Sequence, residues 1–124
     1  MKVRISGNSI RFRVKQSEVQ RFEQEGKLSE VTEFGLEQED ALTFTLSVVD
    51  NNNFRLKNTA NTVTIEVPET IVKKWTQTEL VGFEESIDTG KGRIIKVLVE
   101  KDFKCLDGSD KENEDSFPNP NLHC

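Results

Sequence analysis

The stretch Asn8-Ser9-Ile10-Arg11-Phe12-Arg13-Val14 decides the fold, because its pattern returns 53 residues later as Asn61-Thr62-Val63-Thr64-Ile65-Glu66-Val67. Apolar and polar side chains alternate in both stretches, which indicates strands with one buried face. The likeness extends outward to residues 1–50 and 54–103, and at its far end only Lys101, aligned with Val48, breaks the apolar pattern. A unit of about 50 residues is long enough for strands and a helix, so the sequence predicts two copies of one unit.

Each copy reads as two strands, a helix and two more strands. Alternation predicts eight strands, at 2–5, 10–14, 29–34, 41–49, 54–58, 62–67, 80–87 and 93–103. A capping box of Ser17 and Gln20 begins the first helix and Gly26 ends it, whereas Pro68 opens the second. Eight short strands and two helices predict an α+β fold, in which a curved antiparallel sheet or barrel of all eight strands removes the unpaired edges.

Length and charge limit the classes of protein. The 124 residues fit a single domain with an acidic, Pro- and Asn-rich tail at 104–124. The net charge of −5 argues against nucleic-acid binding, because the phosphate backbone is held chiefly by Lys and Arg. No apolar run approaches the roughly 20 residues that cross a bilayer, and the first residues alternate where a signal peptide would be continuously apolar. We therefore expect a cytoplasmic protein that binds neither nucleic acid nor a membrane.

The polar positions of the predicted strands gather positive charge. If Val3, Ile10 and Phe12 face the helices, the polar residues between them lie on the opposite face. The candidate ligand-binding residues are Lys2, Arg4, Arg11, Arg13, Arg55, Lys57, Glu66, Lys96 and Glu100. In a concave sheet they would bind a phosphorylated small molecule or a polyanion, since Arg offers a planar fork of donors. On a flat or convex sheet the same residues would be an ordinary solvated face.

The tail holds the potential zinc ligands. Cys105, His123 and Cys124 offer soft ligands that a tail carboxylate would complete, although their spacing matches no standard zinc pattern. A Cys105–Cys124 disulfide and two free thiols are the alternatives. On the strands, Glu66 and Glu100 are the obvious carboxylates for Mg²⁺.

The predicted order of strands and helices resembles the CYTH or triphosphate-tunnel fold, in which a duplicated unit builds an eight-stranded tunnel. That resemblance implies a divergent metal-dependent triphosphate hydrolase. Enzymes of that family carry Glu-x-Glu-x-Lys on the first strand, whereas here that strand reads Lys2-Val3-Arg4-Ile5-Ser6, without the carboxylates. The resemblance is therefore one of topology, and whether the protein is an enzyme stays open.

Residues 99–106 (VEKDFKCL) and 114–120 (EDSFPNP) resemble the closing signature of a small uncharacterised bacterial family. Residues 7–11 resemble its opening, so the likeness spans nearly the whole chain. It implies no activity, only that Phe103 and Phe117 pack the tail onto the sheet. Three hypotheses stand: an anion-binding domain, a structural or protein-interaction domain, and a divergent triphosphate hydrolase.

Overall fold

The computed structural model describes residues 1–103 and 114–118. Within them lie eight strands and two helices in the predicted order. The elements are β1 (Lys2–Ser6), β2 (Ser9–Val14), α1 (Gln16–Glu25), β3 (Lys27–Glu33), β4 (Ala41–Val49), β5 (Arg55–Thr59), β6 (Thr62–Pro68), α2 (Glu69–Gln77), β7 (Gly82–Asp88) and β8 (Ile94–Lys101). A short 3₁₀ turn, Gln38–Asp40, lies between β3 and β4.

The strands form two four-stranded sheets. Sheet A has the order β1-β2-β8-β7, and sheet B has the order β3-β4-β6-β5. The outer pairs of each sheet are antiparallel, whereas the central pairs, β2–β8 and β4–β6, are parallel. The α+β class is confirmed, but the prediction of one antiparallel sheet or barrel of eight strands is wrong, since neither sheet closes. The reason lies in the connections: α1 carries the chain from sheet A to sheet B, and α2 carries it back.

Charged side chains, and not closure, protect the open edges. The edge strands β1 and β5 each carry two basic residues, and the edge strands β3 and β7 each carry at least two acidic residues. Charges on an edge strand disfavour pairing with the same edge of another copy, because like charges that face each other repel. The charged residues of the edge strands therefore protect the unpaired edges that closure into a barrel would remove.

The central parallel ladders of the two halves use the same pairing register. Ser9 lies opposite Lys96 where the β2–β8 ladder begins, and Thr62 lies opposite Thr43 where the β6–β4 ladder begins. Each pair is the other moved by 53 positions in the sequence. The hydrogen bonds from the N–H of Lys96 and of Thr43 to the turn residue before each ladder are both 2.9 Å long. The repeat in the sequence thus corresponds to repeated geometry.

Aromatic rings join the layers of the core. Phe12 of sheet A meets Phe44 of sheet B edge to face, with 6.3 Å between ring centroids. Phe22 of α1 and Trp75 of α2 meet in the same manner at 6.4 Å. The Trp75 indole also donates a hydrogen bond to the carbonyl of Val81 at 3.0 Å. Each such ring pair adds about 0.5–1.5 kcal/mol beyond the area that it buries.

The first helix does not begin with the predicted Ser17–Gln20 capping box, because its N-cap residue is Lys15. Glu18 supplies the side-chain contact at this end of the helix, since its Oε1 accepts the N–H of Lys15 at 3.0 Å. Gly26 ends the helix as predicted, with a left-handed φ of 72° that glycine adopts without strain.

The tail segment 114–118 folds back onto the start of α1. The carboxylate of Asp115 accepts both the N–H and the hydroxyl of Ser17, and the Asp115 carbonyl accepts the N–H of Gln16 at 3.0 Å. Phe117 packs on Phe103 with 6.0 Å between ring centroids. This contact agrees with the packing that the family resemblance implied.

Candidate functional site

Cations stand opposite one another on the outer face of sheet A. In the β1–β2 hairpin, Lys2 lies opposite Arg13, and Arg4 lies opposite Arg11. These four residues form what we call the basic face. Opposite side chains of antiparallel strands have Cβ atoms about 4.5–5.5 Å apart, so like charges there are unfavourable. The hairpin therefore holds two successive repulsive pairs.

One carboxylate gathers two of these arginines. Glu100 lies beside Arg13 in the register of β2 and β8. Its Oε1 accepts the Nε–H of Arg11 at 2.7 Å and that of Arg13 at 3.1 Å. The two arginine side chains are 35% and 42% exposed, and the Glu100 side chain is 17% exposed. Such exposed ion pairs contribute little to stability, but they fix the positions of the two guanidinium groups.

The other cations of this sheet differ in their partners. Lys2 lies 3.3 Å from Oδ2 of the buried Asp102, an oxygen that accepts no hydrogen bond from the described residues. Lys96 pairs with Glu84 at 2.9 Å. Arg4 is exposed and forms no ion pair with any residue of 1–103 or 114–118. Its guanidinium is thus open to a ligand.

The remaining three candidates lie on sheet B. Arg55 stands opposite Glu66 in the β5–β6 register, and Lys57 pairs with Glu66 at 3.1 Å. Because the sheets meet through their inner faces at Phe12 and Phe44, their outer faces are separate surfaces. The structure therefore brings together Lys2, Arg4, Arg11, Arg13, Lys96 and Glu100, but not the other three.

The candidate metal ligands are not brought together where they are described. Glu66 and Glu100 lie on different sheets, and each is paired with a cation. Among residues 1–103 and 114–118, no three His, Cys, Asp or Glu side chains are placed to hold a metal ion. Cys105, His123 and Cys124, with their alternative disulfide, lie outside the described residues.

A buried lysine was not among the sequence candidates. Lys101 is 8% exposed at the end of β8, and its Nζ donates to the carbonyl of Thr78 at 2.9 Å, at the C-terminal end of α2. Burial lowers the pKa of Lys101 below its ordinary 10.5, whereas the nearby Glu79 carboxylate opposes that shift. Its Nζ also lies 5.5 Å from the centroid of the Phe117 ring. The mismatch with Val48 in the repeat was the signal for this residue.

Fold and site together define an α+β domain of two open mixed sheets with a basic outer face. The chain belongs to a family of unknown function, DUF7009, whose model matches residues 1–121. The predicted membership of an uncharacterised family is thereby confirmed. No curated protein and no solved structure matches the chain significantly. Within the described residues, no helix is long and apolar enough to span a bilayer.

Proposed function

We propose that this protein binds a phosphate-bearing anion on the basic face of sheet A. The observation that carries the proposal is the stacking of two like-charge pairs, Lys2 with Arg13 and Arg4 with Arg11, in one hairpin. Like charges that face each other across two paired strands destabilise the ladder. An anion bound between them reverses that effect. Even with Glu100 and Asp102 counted, the four cations leave a net charge of +2, in a chain whose net charge is −5.

Donors suited to phosphate oxygens remain on this face. Arg13 uses only its Nε–H on Glu100, and Arg11 uses its Nε–H and Nη2, so each keeps further N–H groups. Arg4 forms no ion pair with the described residues, so all of its guanidinium N–H groups remain available to a ligand. Arginine binds phosphate oxygens in pairs through such planar donors.

The exposure of the face favours a polyanion over a small anion such as sulfate. The side chains of Lys2, Arg11 and Arg13 are 53%, 35% and 42% exposed. Two clefts elsewhere on the described surface, one of about 480 Å³ and one of about 360 Å³, are not lined by residues of the basic face. A ligand there stays partly in water, where salt screens each contact. Several phosphates on one chain would offset that weakness by contacting several cations at once. We therefore expect tripolyphosphate to bind more tightly than sulfate, with strong salt dependence.

A thermal melt with tripolyphosphate, against sulfate at matched ionic strength, tests the proposal. A ligand present at 100 times its dissociation constant adds about 2.7 kcal/mol of stability, a rise of roughly 10 °C in the midpoint for a domain of this size. Arg4→Ala should abolish most of the rise. Arg55→Ala is the matched control, since Arg55 lies on the first strand of the second half but opposite Glu66. An equal rise with sulfate, or an undiminished rise in Arg4→Ala, would contradict the proposal.

A further inference from the structure

The loop between β3 and β4, residues 34–40, displays large apolar side chains. Phe34 is 74% exposed and Leu36 is 102% exposed. Val31, on the adjoining strand β3, is 54% exposed. Large apolar side chains clustered in this way on a surface are typical of interaction sites, whereas single ones are ordinary.

Hydrogen bonds hold this loop in one conformation. The N–H of Phe34 donates to the carbonyl of Asp40 at 2.8 Å, and the N–H of Glu37 donates to the Asp40 carboxylate at 3.2 Å. The side chain of Asn61, from the β5–β6 turn, donates to the carbonyl of Glu39 at 2.8 Å. The apolar side chains therefore project from a fixed backbone, which lowers the entropy that a partner must overcome.

The fold itself does not require apolar residues in such a loop. The β7–β8 ladder, like the β3–β4 ladder, has seven residue pairs. Its strands are joined by residues 89–93, Thr-Gly-Lys-Gly-Arg, which include no apolar side chain. The exposure of Phe34 and Leu36 is thus a property of this loop and not of the architecture.

The chemistry around the loop is acidic. Val31 and Leu36 line the cleft of about 480 Å³, together with Glu33 and Glu37, and no Lys or Arg lines it. Neither glutamate forms an ion pair with a residue of 1–103 or 114–118. The neighbouring strand β3 is an edge of sheet B, so its outer backbone groups are available for pairing.

We propose that β3 and the β3–β4 loop form a docking surface for a basic, extended segment of another protein. The segment adds a strand to the edge of β3, places cations against Glu33 and Glu37, and packs an apolar side chain on Val31 and Leu36. The net charge of −5 disfavours a second copy as the occupant, because two such chains repel each other. This surface lies on sheet B and does not depend on anion binding to sheet A.

A peptide titration of the full ¹⁵N-labelled chain, followed by NMR, tests the proposal. The probe is a synthetic peptide that repeats Lys-Thr-Val-Thr, so that Lys and Val share one face of the added strand as Val31 and Glu33 share one face of β3. Its control is a peptide of equal length that repeats Glu-Thr-Val-Thr, and the two are called the Lys–Val and Glu–Val peptides. We expect saturable shifts from the Lys–Val peptide at residues 29–43 and 60–62. Leu36→Ser should weaken binding by about tenfold or more, as expected for an apolar anchor. It should keep the thermal midpoint within about 2 °C, because the side chain is exposed.

The acidic edge β7 is an internal control, since it carries Glu84 and Glu85 without an apolar loop. Equal shifts at β7 and β3 would overturn the proposal, because charge alone would then explain the binding. Absence of binding, or equal binding of the Glu–Val peptide, would also overturn it. A mass in light scattering that rises with concentration, and does so less in Leu36→Ser, would overturn it in favour of a second copy as the occupant.

Discussion

The contact of Asp115 with α1 makes the tail a contributor to stability. Its carboxylate accepts the backbone N–H and the hydroxyl of Ser17, and so it acts as a helix cap supplied from 98 residues away. Losing a cap of this kind costs about 0.5–2 kcal/mol, and these bonds are exposed, so water replaces part of what is lost. We therefore expect Asp115→Gly to lower the free energy of unfolding by about 1 kcal/mol, and the thermal midpoint by roughly 3–6 °C.

Glycine is the substitution of choice because Asp115 has a φ of 60°, where alanine would add backbone strain. Asp115→Asn should lose about half as much, since asparagine tolerates this φ and keeps one oxygen acceptor. Urea and thermal unfolding of the full chain, followed by circular dichroism, measure both effects. Glu114→Ala, at the exposed neighbouring position, is the control. If Asp115→Gly unfolds at the same midpoint as Glu114→Ala, the tail does not cap α1 and the reasoning fails.

Three further predictions concern the core and the charged sites. Phe12→Ala should cost about 3–5 kcal/mol in urea unfolding, because it removes the ring that joins the sheets at Phe44, and a loss below about 1 kcal/mol would contradict that role. Glu100→Gln should cost at most about 1 kcal/mol, since its ion pairs are partly exposed, but should raise the calorimetric affinity for tripolyphosphate, and a fall would contradict the electrostatic account. Wild type should gain stability relative to Lys101→Met as the pH rises towards 10.5, because the lowered pKa lets the folded chain release this proton before the unfolded chain does. A constant difference in paired melts would contradict the pKa shift.

Local patterns predicted the elements but not their assembly. Alternation places Lys2, Arg4, Arg11 and Arg13 on one face because hairpin pairing is local in sequence. The location of Arg55 depends on which distant strands form the parallel pair at the centre of each sheet. No local sequence pattern encodes that choice of partner strand.

Long-range contacts set the same limit on the smaller features. Ser17 is a residue type that often begins a capping box, yet its hydroxyl donates to the carboxylate of Asp115. No residue near Ser17 in the sequence indicates that contact. Lys101 interrupts an alternation of apolar residues, and only the folded chain shows that its ammonium donates a hydrogen bond to the carbonyl of Thr78 at the end of α2.

The most direct test of anion binding is an NMR titration of the ¹⁵N-labelled chain with tripolyphosphate, which reports the surface that is contacted. The account predicts saturable shifts at the amides of β1, β2 and β8 and at the Nε–H signals of Arg4, Arg11 and Arg13. Shifts that do not saturate, or that centre on sheet B, would contradict it.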